Sequence, residues 1–464
     1  MQLVQRSVTP EDDFEYIMFS IEGDDVAWEE SDRLEKEWCE NLVKPDTQQA
    51  IGNFVARHRQ GIPTEIGPLG AGGFNALLRL KFKDGGSDTI CKTWPKYIQD
   101  HTTIPVPFIL HWGTKEESPL QIGPFIIMEY AKNAMNMTAA MNTPGRTRDM
   151  APVLDANIDE KQLYNLYRQV SNILLQLSKL EFPAIGALQE TDEWQWEVRS
   201  RPLSMPMNEL VRTGSFPRAK LPTCTFQTSE AYYDGLALMN VQHLLHQRND
   251  AIESEADCRR KYTARKLFES LVKDRKLFPT RNGQFKFWCD DLRPSNILLN
   301  DQLDVVAVID REFSYAAPCD FTYSPPWWLL LVQPECWGGG LDDWISKYEP
   351  RVETFLEAVV DSEDDLIASG QLQEDQRLSG KMRESWDSGD FWICYAARKN
   401  FGFDCVYWEK LEHRFFGPTE GKRADVWLQR QDLLDESAKK EMDALVARKL
   451  EEMKSRELLW EPDE

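Results

Sequence analysis

The stretch Trp288-Cys289-Asp290-Asp291-Leu292-Arg293-Pro294-Ser295-Asn296 decides the fold that this sequence predicts. It is followed by an apolar run, a polar break and a second apolar run that ends in Asp310; the runs are Ile297-Leu298-Leu299 and Val305-Val306-Ala307-Val308-Ile309. Two β-favouring runs around a short polar break predict an antiparallel hairpin. Because the open ends of a hairpin lie together, Asn296 and Asp310 are expected at one end, beside the loop that carries Asp291.

This arrangement predicts a cation site, since it brings together two carboxylates and one amide oxygen. Such hard oxygen ligands suit Mg²⁺, which usually takes one or two protein carboxylates together with phosphate oxygens. A simpler interpretation is that Asp291 and Asn296 cap turns and that Asp310 only ends a strand. That interpretation prevails for an isolated D-x-x-x-x-N, because short motifs often match by chance. The hairpin and its terminal Asp310 favour the cation site here.

The pattern resembles the catalytic loop and the metal-binding aspartate of the protein-kinase-like fold. More closely, it resembles the aminoglycoside phosphotransferase (APH) family, and within it a large fungal group of phosphotransferase-family proteins. The resemblance extends from about residue 45 to about residue 415 and includes three further strings: Thr102-Thr103-Ile104-Pro105-Val106-Pro107, Gly123-Pro124-Phe125-Ile126-Ile127-Met128-Glu129-Tyr130 and Pro325-Pro326-Trp327-Trp328.

The resemblance implies an α+β, protein-kinase-like two-lobed fold with a trimmed N-terminal lobe and a larger, mostly helical C-terminal lobe. It also implies that Asp291 orients or deprotonates an acceptor hydroxyl, while Asn296 and Asp310 hold Mg²⁺ on ATP. Two positions depart from the pattern. Cys289 stands where kinases carry a histidine, and Arg311 follows Asp310 where relatives usually carry a tryptophan.

Two further stretches predict contacts to the nucleotide. Gly70, Gly72 and Gly73 lie between predicted strands, and glycine lets backbone N–H groups approach phosphates. Alone this pattern is more often an ordinary hairpin turn, but its place before the kinase-like loop favours a phosphate-covering turn. By the resemblance, Met128-Glu129-Tyr130 is the hinge whose backbone meets the adenine edge.

The N-terminal lobe departs from a kinase between Lys92 and Thr102. Lys92 is the best candidate for the cation that neutralises phosphates, and a kinase-like lobe then needs a helix whose Glu pairs with that cation. The intervening residues 93–101 include a proline and no Glu. They are too few for a three-turn helix, which needs about eleven residues. A weakened kinase or pseudokinase and an exon missing from the gene model both explain this gap, and both interpretations stay open.

Composition limits the classes of partner. The net charge of −23 argues against nucleic acid, because no excess of Lys or Arg exists to neutralise phosphates. The nine scattered cysteines are typical of a reduced, intracellular protein. The N-terminus lacks a signal-peptide pattern and no apolar run is long enough to span a membrane, so we expect a cytoplasmic protein without a membrane partner.

The sequence therefore predicts four regions: a polar, acidic extension (1–45), a nucleotide-binding lobe (46–130), a catalytic and acceptor lobe (131–415) and a charged, amphipathic helical tail (416–464). The first hypothesis is an ATP-dependent phosphotransferase acting on a hydroxyl of a small molecule, with ATP and Mg²⁺ as cofactors. The alternative is a weak or inactive pseudokinase that serves as a binding module. The tail helix packs on the body or binds a protein partner.

Overall fold

The computed structural model describes residues 23–59, 61–67, 70–72, 75–83, 89–90, 96–147, 150–191, 193, 195–277 and 285–459. Contacts along the backbone divide the chain into two compact units. The helical unit consists of the described residues of Met1–Glu29, Met141–Trp288 and Ser314–Glu464. The sheet unit consists of those of Glu30–Ala140 and Cys289–Phe313.

The strands are, in chain order, β1 Pro63–Ile66, β2 Gly70–Gly72, β3 Asn75–Leu77, β4 Leu80–Phe82, β5 Thr89–Ile90, β6 Ile109–Gly113, β7 Phe125–Glu129, β8 Met135–Asn136, β9 Glu181–Phe182, β10 Ala187–Glu190, β11 Trp196–Ser200, β12 Phe285–Cys289, β13 Ile297–Leu299, β14 Val305–Val308 and β15 Ser314–Pro318. The α-helices are α1 Asp25–Leu42, α2 Pro45–Arg59, α3 Lys96–His101, α4 Met137–Met141, α5 Glu160–Ser178, α6 Met205–Thr213, α7 Ser229–His246, α8 Glu255–Lys273, α9 Cys319–Thr322, α10 Gly340–Ala368, α11 Ser379–Ser388, α12 Asp390–Arg398, α13 Phe403–Val406, α14 Glu412–Phe416, α15 Val426–Arg430 and α16 Glu436–Ser455.

The sheet unit is built on a five-stranded antiparallel sheet in the order β1-β4-β5-β7-β6. Helix α2 packs on this sheet because Ile51 and Val55, four residues apart, lie on one helix face and are both buried. They meet Leu80, Phe82 and Ile127 from the strands in one apolar core.

A second, three-stranded antiparallel sheet in the sheet unit has the order β14-β13-β8. Strands β13 and β14 form the predicted hairpin, and its polar turn is closed by the side chain of Asn300, whose Oδ1 accepts from the backbone N–H groups of Gln302 and Asp304. The backbone N–H of Val308 donates to the carbonyl of Pro105 (2.8 Å), so the Thr102–Pro107 string lies along β14.

The helical unit has the long helices α5 and α10 at its core, where the rings of Tyr167 and Phe355 meet edge to face at 5.4 Å. Helices α7 and α8 pack beside each other in the same unit. Asp159 caps α5 by accepting from the backbone N–H of Gln162 at 2.8 Å.

The predicted regions differ from this division in one respect. The hairpin β13–β14 groups with the sheet unit, whereas the sequence assigned residues 131–415 to one lobe. The four predicted regions themselves stay predictions, while the α+β fold class is confirmed by antiparallel sheets and long helices in one chain.

Helix α16 has its apolar face covered by the helical unit. Met442 lies against Thr263 of α8, and Leu445 and Val446 are buried. Within the part of the chain that the structure describes, no helix is both long enough and apolar enough to cross a bilayer.

Candidate active site

The hairpin β13–β14 brings Asn296 beside Asp310, as its sequence predicts. Ile297 pairs with Val308 in the register of the two strands, and the backbone N–H of Ile309 donates to the carbonyl of Asn296 at 2.9 Å. Asp310 is the next residue after Ile309. The open end of the hairpin therefore places Asn296 and Asp310 on neighbouring backbones.

Asn296 in turn holds the loop that carries Asp291. Its Nδ2 donates to the backbone carbonyl of Asp291 (2.8 Å) and to the Asp291 carboxylate (2.9 Å). Both residues are buried, at 5% and 9% exposure. Both side-chain hydrogen bonds of Asn296 therefore hold the loop that carries Asp291.

The Asp291 carboxylate has a second neighbour, Arg293. The Nε of Arg293 lies 2.7 Å from Oδ1 of Asp291, and 43% of the Arg293 side chain is exposed against 12% of the Asp291 side chain. The contact is one between charges rather than a well-aligned hydrogen bond. The sequence showed Arg293 within the motif but predicted no role for it.

Asp310 has a left-handed backbone, with φ of 58°. This conformation is uncommon for residues other than glycine, although Asp adopts it more readily than most. It turns the chain sharply at the end of the hairpin. Such conformations cost free energy and occur preferentially at functional sites.

The residues at this end of the hairpin fit Mg²⁺. Asn296 and Asp310 would supply an amide oxygen and a carboxylate, which are hard donors, and Mg²⁺ needs few protein ligands when phosphates supply the others. The described residues contain no group of three or more His, Cys, Asp or Glu side chains placed to hold a metal by themselves.

The glycine-rich stretch forms the predicted hairpin. Gly70 pairs with Leu77 and Gly72 with Asn75, while the connecting residues, Gly73 among them, lie outside the described residues. Asn75 donates from its Nδ2 to Glu312 Oε1 at 3.1 Å, although 237 positions separate them. This hydrogen bond joins the glycine hairpin to the segment that follows Asp310.

The predicted hinge ends strand β7. Met128 is 7% exposed and pairs with Ile90 of β5, and the backbone N–H of Glu129 donates to the carbonyl of Phe108 (2.9 Å). The guanidinium of Arg79 lies 3.8 Å from the ring centre of Tyr130. The nucleotide contacts of Met128, Glu129 and Tyr130 stay predictions.

The structure tests only one of the two features predicted between Lys92 and Thr102. Lys92 lies outside the described residues. Helix α3 is only six residues long and contains no Glu, as the short stretch before Thr102 predicted.

Arg311 differs from its neighbours in having no hydrogen-bond acceptor. It is 3% exposed, and none of its three guanidinium nitrogens has a partner among the described residues. Burial lowers the pKa of the Arg311 guanidinium to about 10, and the neighbouring Cys289 thiol acts in the opposite direction. At neutral pH Arg311 therefore carries a buried positive charge.

No model of a known protein family matches this chain, and no curated protein matches it. It is similar to the solved structure of aminoglycoside phosphotransferase APH(4)-Ia in a ternary complex with ADP and hygromycin B, with 12% identity, a TM-score of 0.40, and coverage of 86% of this chain and 98% of that chain. It is similar to Plasmodium vivax ethanolamine kinase, with 12% identity, a TM-score of 0.42 and coverage of 87% and 92%. It is similar to choline kinase LicA from Streptococcus pneumoniae, with 13% identity, a TM-score of 0.37 and coverage of 86% and 99%.

In chain order, the glycine hairpin β2–β3 precedes strands β4–β7 of the five-stranded sheet, and helices α4–α8 follow. The loop that carries Asp291 and the hairpin β13–β14 come next, before helices α9–α16.

Proposed function

We propose that this chain is an ATP-dependent phosphotransferase that transfers the γ-phosphoryl group to a hydroxyl of a small molecule. The proposal rests on one observation: Asn296 hydrogen-bonds to both the backbone and the carboxylate of Asp291, while its own carbonyl binds the residue before Asp310. The side chain of Asn296 thus holds the proposed proton acceptor, and its backbone holds the end of the hairpin from which Asp310 follows.

Each group has a distinct part in the reaction. Asp291 orients the acceptor hydroxyl and takes its proton as the oxygen attacks the γ-phosphorus. The bond from that phosphorus to the β–γ bridging oxygen breaks, and ADP leaves with the electron pair. Asn296 and Asp310 would hold Mg²⁺, which when bound neutralises charge on the phosphates. Positioning and charge stabilisation provide most of the catalysis in such transfers.

Nucleotide binding is tested by the thermal midpoint of the purified chain with and without MgATP. A ligand that binds only the folded state stabilises it by about 2.7 kcal/mol at a hundredfold excess over its dissociation constant. We expect a Mg²⁺-dependent rise for the wild type and its loss in Asp310→Asn. The matched control is Asp301→Asn, which makes the same change at the exposed turn of the hairpin. Equal rises in both variants would contradict the assignment of Asp310.

Transfer is tested by separating catalysis from binding. Asp291→Asn removes the proton acceptor but retains a group of the same shape, so it should bind MgATP and lose phosphoryl transfer by at least a hundredfold. The measurement is ADP formation with a panel of small hydroxyl compounds, amino alcohols included because the net charge of −23 allows a cationic acceptor. A variant as active as the wild type would remove Asp291 from the mechanism.

A second candidate function is a pseudokinase that acts as a binding module. It is favoured by helix α3, whose six residues lack the Glu that pairs with the phosphate-binding cation in kinases. This candidate predicts no change in the thermal midpoint at millimolar MgATP. Transcript sequencing across codons 88 to 102 distinguishes a real deletion from an exon missing in the gene model.

The proposal also includes the location of the protein and the classes of partner that it binds. We place the protein in the cytoplasm because its cysteines are scattered, and we assign it neither a nucleic-acid nor a membrane partner. A protein partner of α16 would have to bind its charged outer face, since the apolar residues Met442, Leu445 and Val446 are covered. The fungal group within the APH family stays a prediction.

A further inference from the structure

Arg311 carries a buried charge for which the described residues provide no acceptor. Its Nε, Nη1 and Nη2 are all enclosed and none forms a hydrogen bond with them. Other buried arginines in the chain are paired: Arg265 contacts Asp404, and Arg430 contacts Glu412. Among the described residues, Arg311 therefore differs from these two buried arginines, each of which contacts a carboxylate.

A buried, unpaired guanidinium is costly. Removing a cation from water costs several kcal/mol unless an anion and hydrogen bonds compensate. An apolar side chain of similar volume would avoid that cost, so the charge needs a reason at this position. Arginine, with five N–H donors in a planar fork, is suited to carboxylate or phosphate groups that accept two parallel hydrogen bonds.

The position of Arg311 indicates which anion it would meet. It directly follows Asp310, which in the proposed function lies beside the phosphates of ATP. The segment from Asp310 to Glu312 is short and is held by backbone hydrogen bonds on both sides, from Ile309 to Asn296 (2.9 Å) and from Asp290 to Phe313 (3.1 Å). Its first residue has a left-handed backbone, which turns the chain sharply just before Arg311.

We infer that Arg311 is an anion-binding residue that pairs with a phosphate oxygen of the nucleotide's polyphosphate. The inference rests on the proposed function for the identity of the anion, but not for the presence of an anion site. Because the guanidinium is enclosed, polyphosphate reaches it when the segment from Asp310 to Glu312 shifts. Arg311 thereby adds positive charge at the phosphates in a lobe whose helix α3 lacks the Glu that would position another cation.

The test compares the wild type with Arg311→Met, using sodium tripolyphosphate in metal-free buffer as the probe and sodium chloride at equal ionic strength as its control. Without the probe, Arg311→Met should have the higher thermal midpoint because it removes an uncompensated charge. Tripolyphosphate should raise the midpoint of the wild type and leave that of Arg311→Met unchanged. The affinity for MgATP should fall at least tenfold in Arg311→Met. Arg59→Met, which removes a cation elsewhere in the sheet unit, should behave as the wild type toward both ligands.

The outcomes separate this inference from the proposed function. If MgATP and tripolyphosphate stabilise the wild type and Arg311→Met equally, the role of Arg311 is overturned and the phosphotransferase proposal stands. If tripolyphosphate acts through Arg311 but MgATP has no effect and no phosphoryl group is transferred, the anion site stands and the proposed function fails. No response to tripolyphosphate in the wild type overturns the inference.

A measurement on the wild type covers the case in which Arg311→Met does not fold. The Nε–Hε resonance of Arg311, assigned by its absence in Arg311→Lys, should shift on titration with tripolyphosphate. The same resonance should not move with sodium chloride. If the chemical shift of this resonance does not change with tripolyphosphate, the inference is overturned.

Discussion

Asn296 forms hydrogen bonds to two separate segments of the candidate site. Its two hydrogen bonds to Asp291 and its backbone bond to Ile309 join the loop that carries Asp291 to the hairpin β13–β14. Leaving buried acceptors without donors costs about 1–3 kcal/mol, and more when the acceptor is charged. We therefore expect Asn296→Ala to lower the free energy of unfolding by about 2–3 kcal/mol in urea denaturation.

The same substitution on an exposed helix face provides the control. Asn53→Ala should change the free energy of unfolding by less than about 0.5 kcal/mol, as surface changes usually do. If Asn296→Ala is as mild as Asn53→Ala, the hydrogen bonds from Asn296 to Asp291 do not stabilise the fold, and the catalytic loop is held by other contacts.

His243 makes stability depend on pH. It is fully buried against Phe401, and burial lowers the pKa of its imidazole well below the usual range; nearby positive charges act in the same direction, namely Arg265, Lys261, Lys449 and His246. Because the unfolded chain binds the proton more readily, stability is present above a pH of about 6.5 and is lost as the pH falls. This group alone should cost about 2 kcal/mol between pH 7 and pH 5.

Urea denaturation at these two pH values checks the prediction. His243→Leu has no proton to bind, so its loss of stability between pH 7 and pH 5 should be about 2 kcal/mol smaller than that of the wild type. Equal losses in both proteins would assign the pH dependence to other groups.

At the scale of elements, the sequence predicted what local patterns encode. The two apolar runs after Asn296 predicted the hairpin β13–β14, which the structure has. It failed where a contact joins distant residues. Nothing near Glu312 in the sequence indicates Asn75, and the enclosure of Arg311 follows from packing that a local pattern does not contain. The sequence showed Arg311 as a departure from the family pattern. It did not predict that the guanidinium would lack a hydrogen-bond acceptor among the described residues.

The hydrogen bond between Asn75 and Glu312 couples two elements of the proposed site, the glycine hairpin and the segment after Asp310. A double-mutant cycle with Asn75→Ala and Glu312→Ala should give a coupling free energy of about 0.5–3 kcal/mol. Either variant should also raise the KM for MgATP, because the glycine hairpin is then held less firmly. Strict additivity in the cycle would show that the two elements are energetically independent.

At the scale of the whole chain, both described ends bind the same loop of the helical unit. Asp24 is fully buried and accepts from Ser215 Oγ (2.6 Å), the backbone N–H of Arg248 (2.9 Å) and Asn249 Nδ2 (2.6 Å). Asn249 Nδ2 also donates to the carbonyl of Glu457 after helix α16, at 3.3 Å. The sequence predicted an acidic extension at this end, but single-sequence patterns do not reveal that one of its carboxylates is buried against a partner 225 positions away.

Asp24 should therefore contribute more to stability than any exposed acidic residue of the extension. Hydrogen bonds to a charged group contribute about 1.5–3 kcal/mol each, and they are not additive, so Asp24→Ala should lower the free energy of unfolding by about 3 kcal/mol or more. Asp32→Ala, on the exposed face of α1, should change it little. A cycle with Asn249→Gly, chosen because Asn249 has a φ of 55° that glycine adopts without strain, should show coupling of at least about 1 kcal/mol. If the two substitutions are additive, the hydrogen bond from Asn249 to Asp24 carries no stability, and Asp24 acts through Ser215, Arg248 and Ala27 instead.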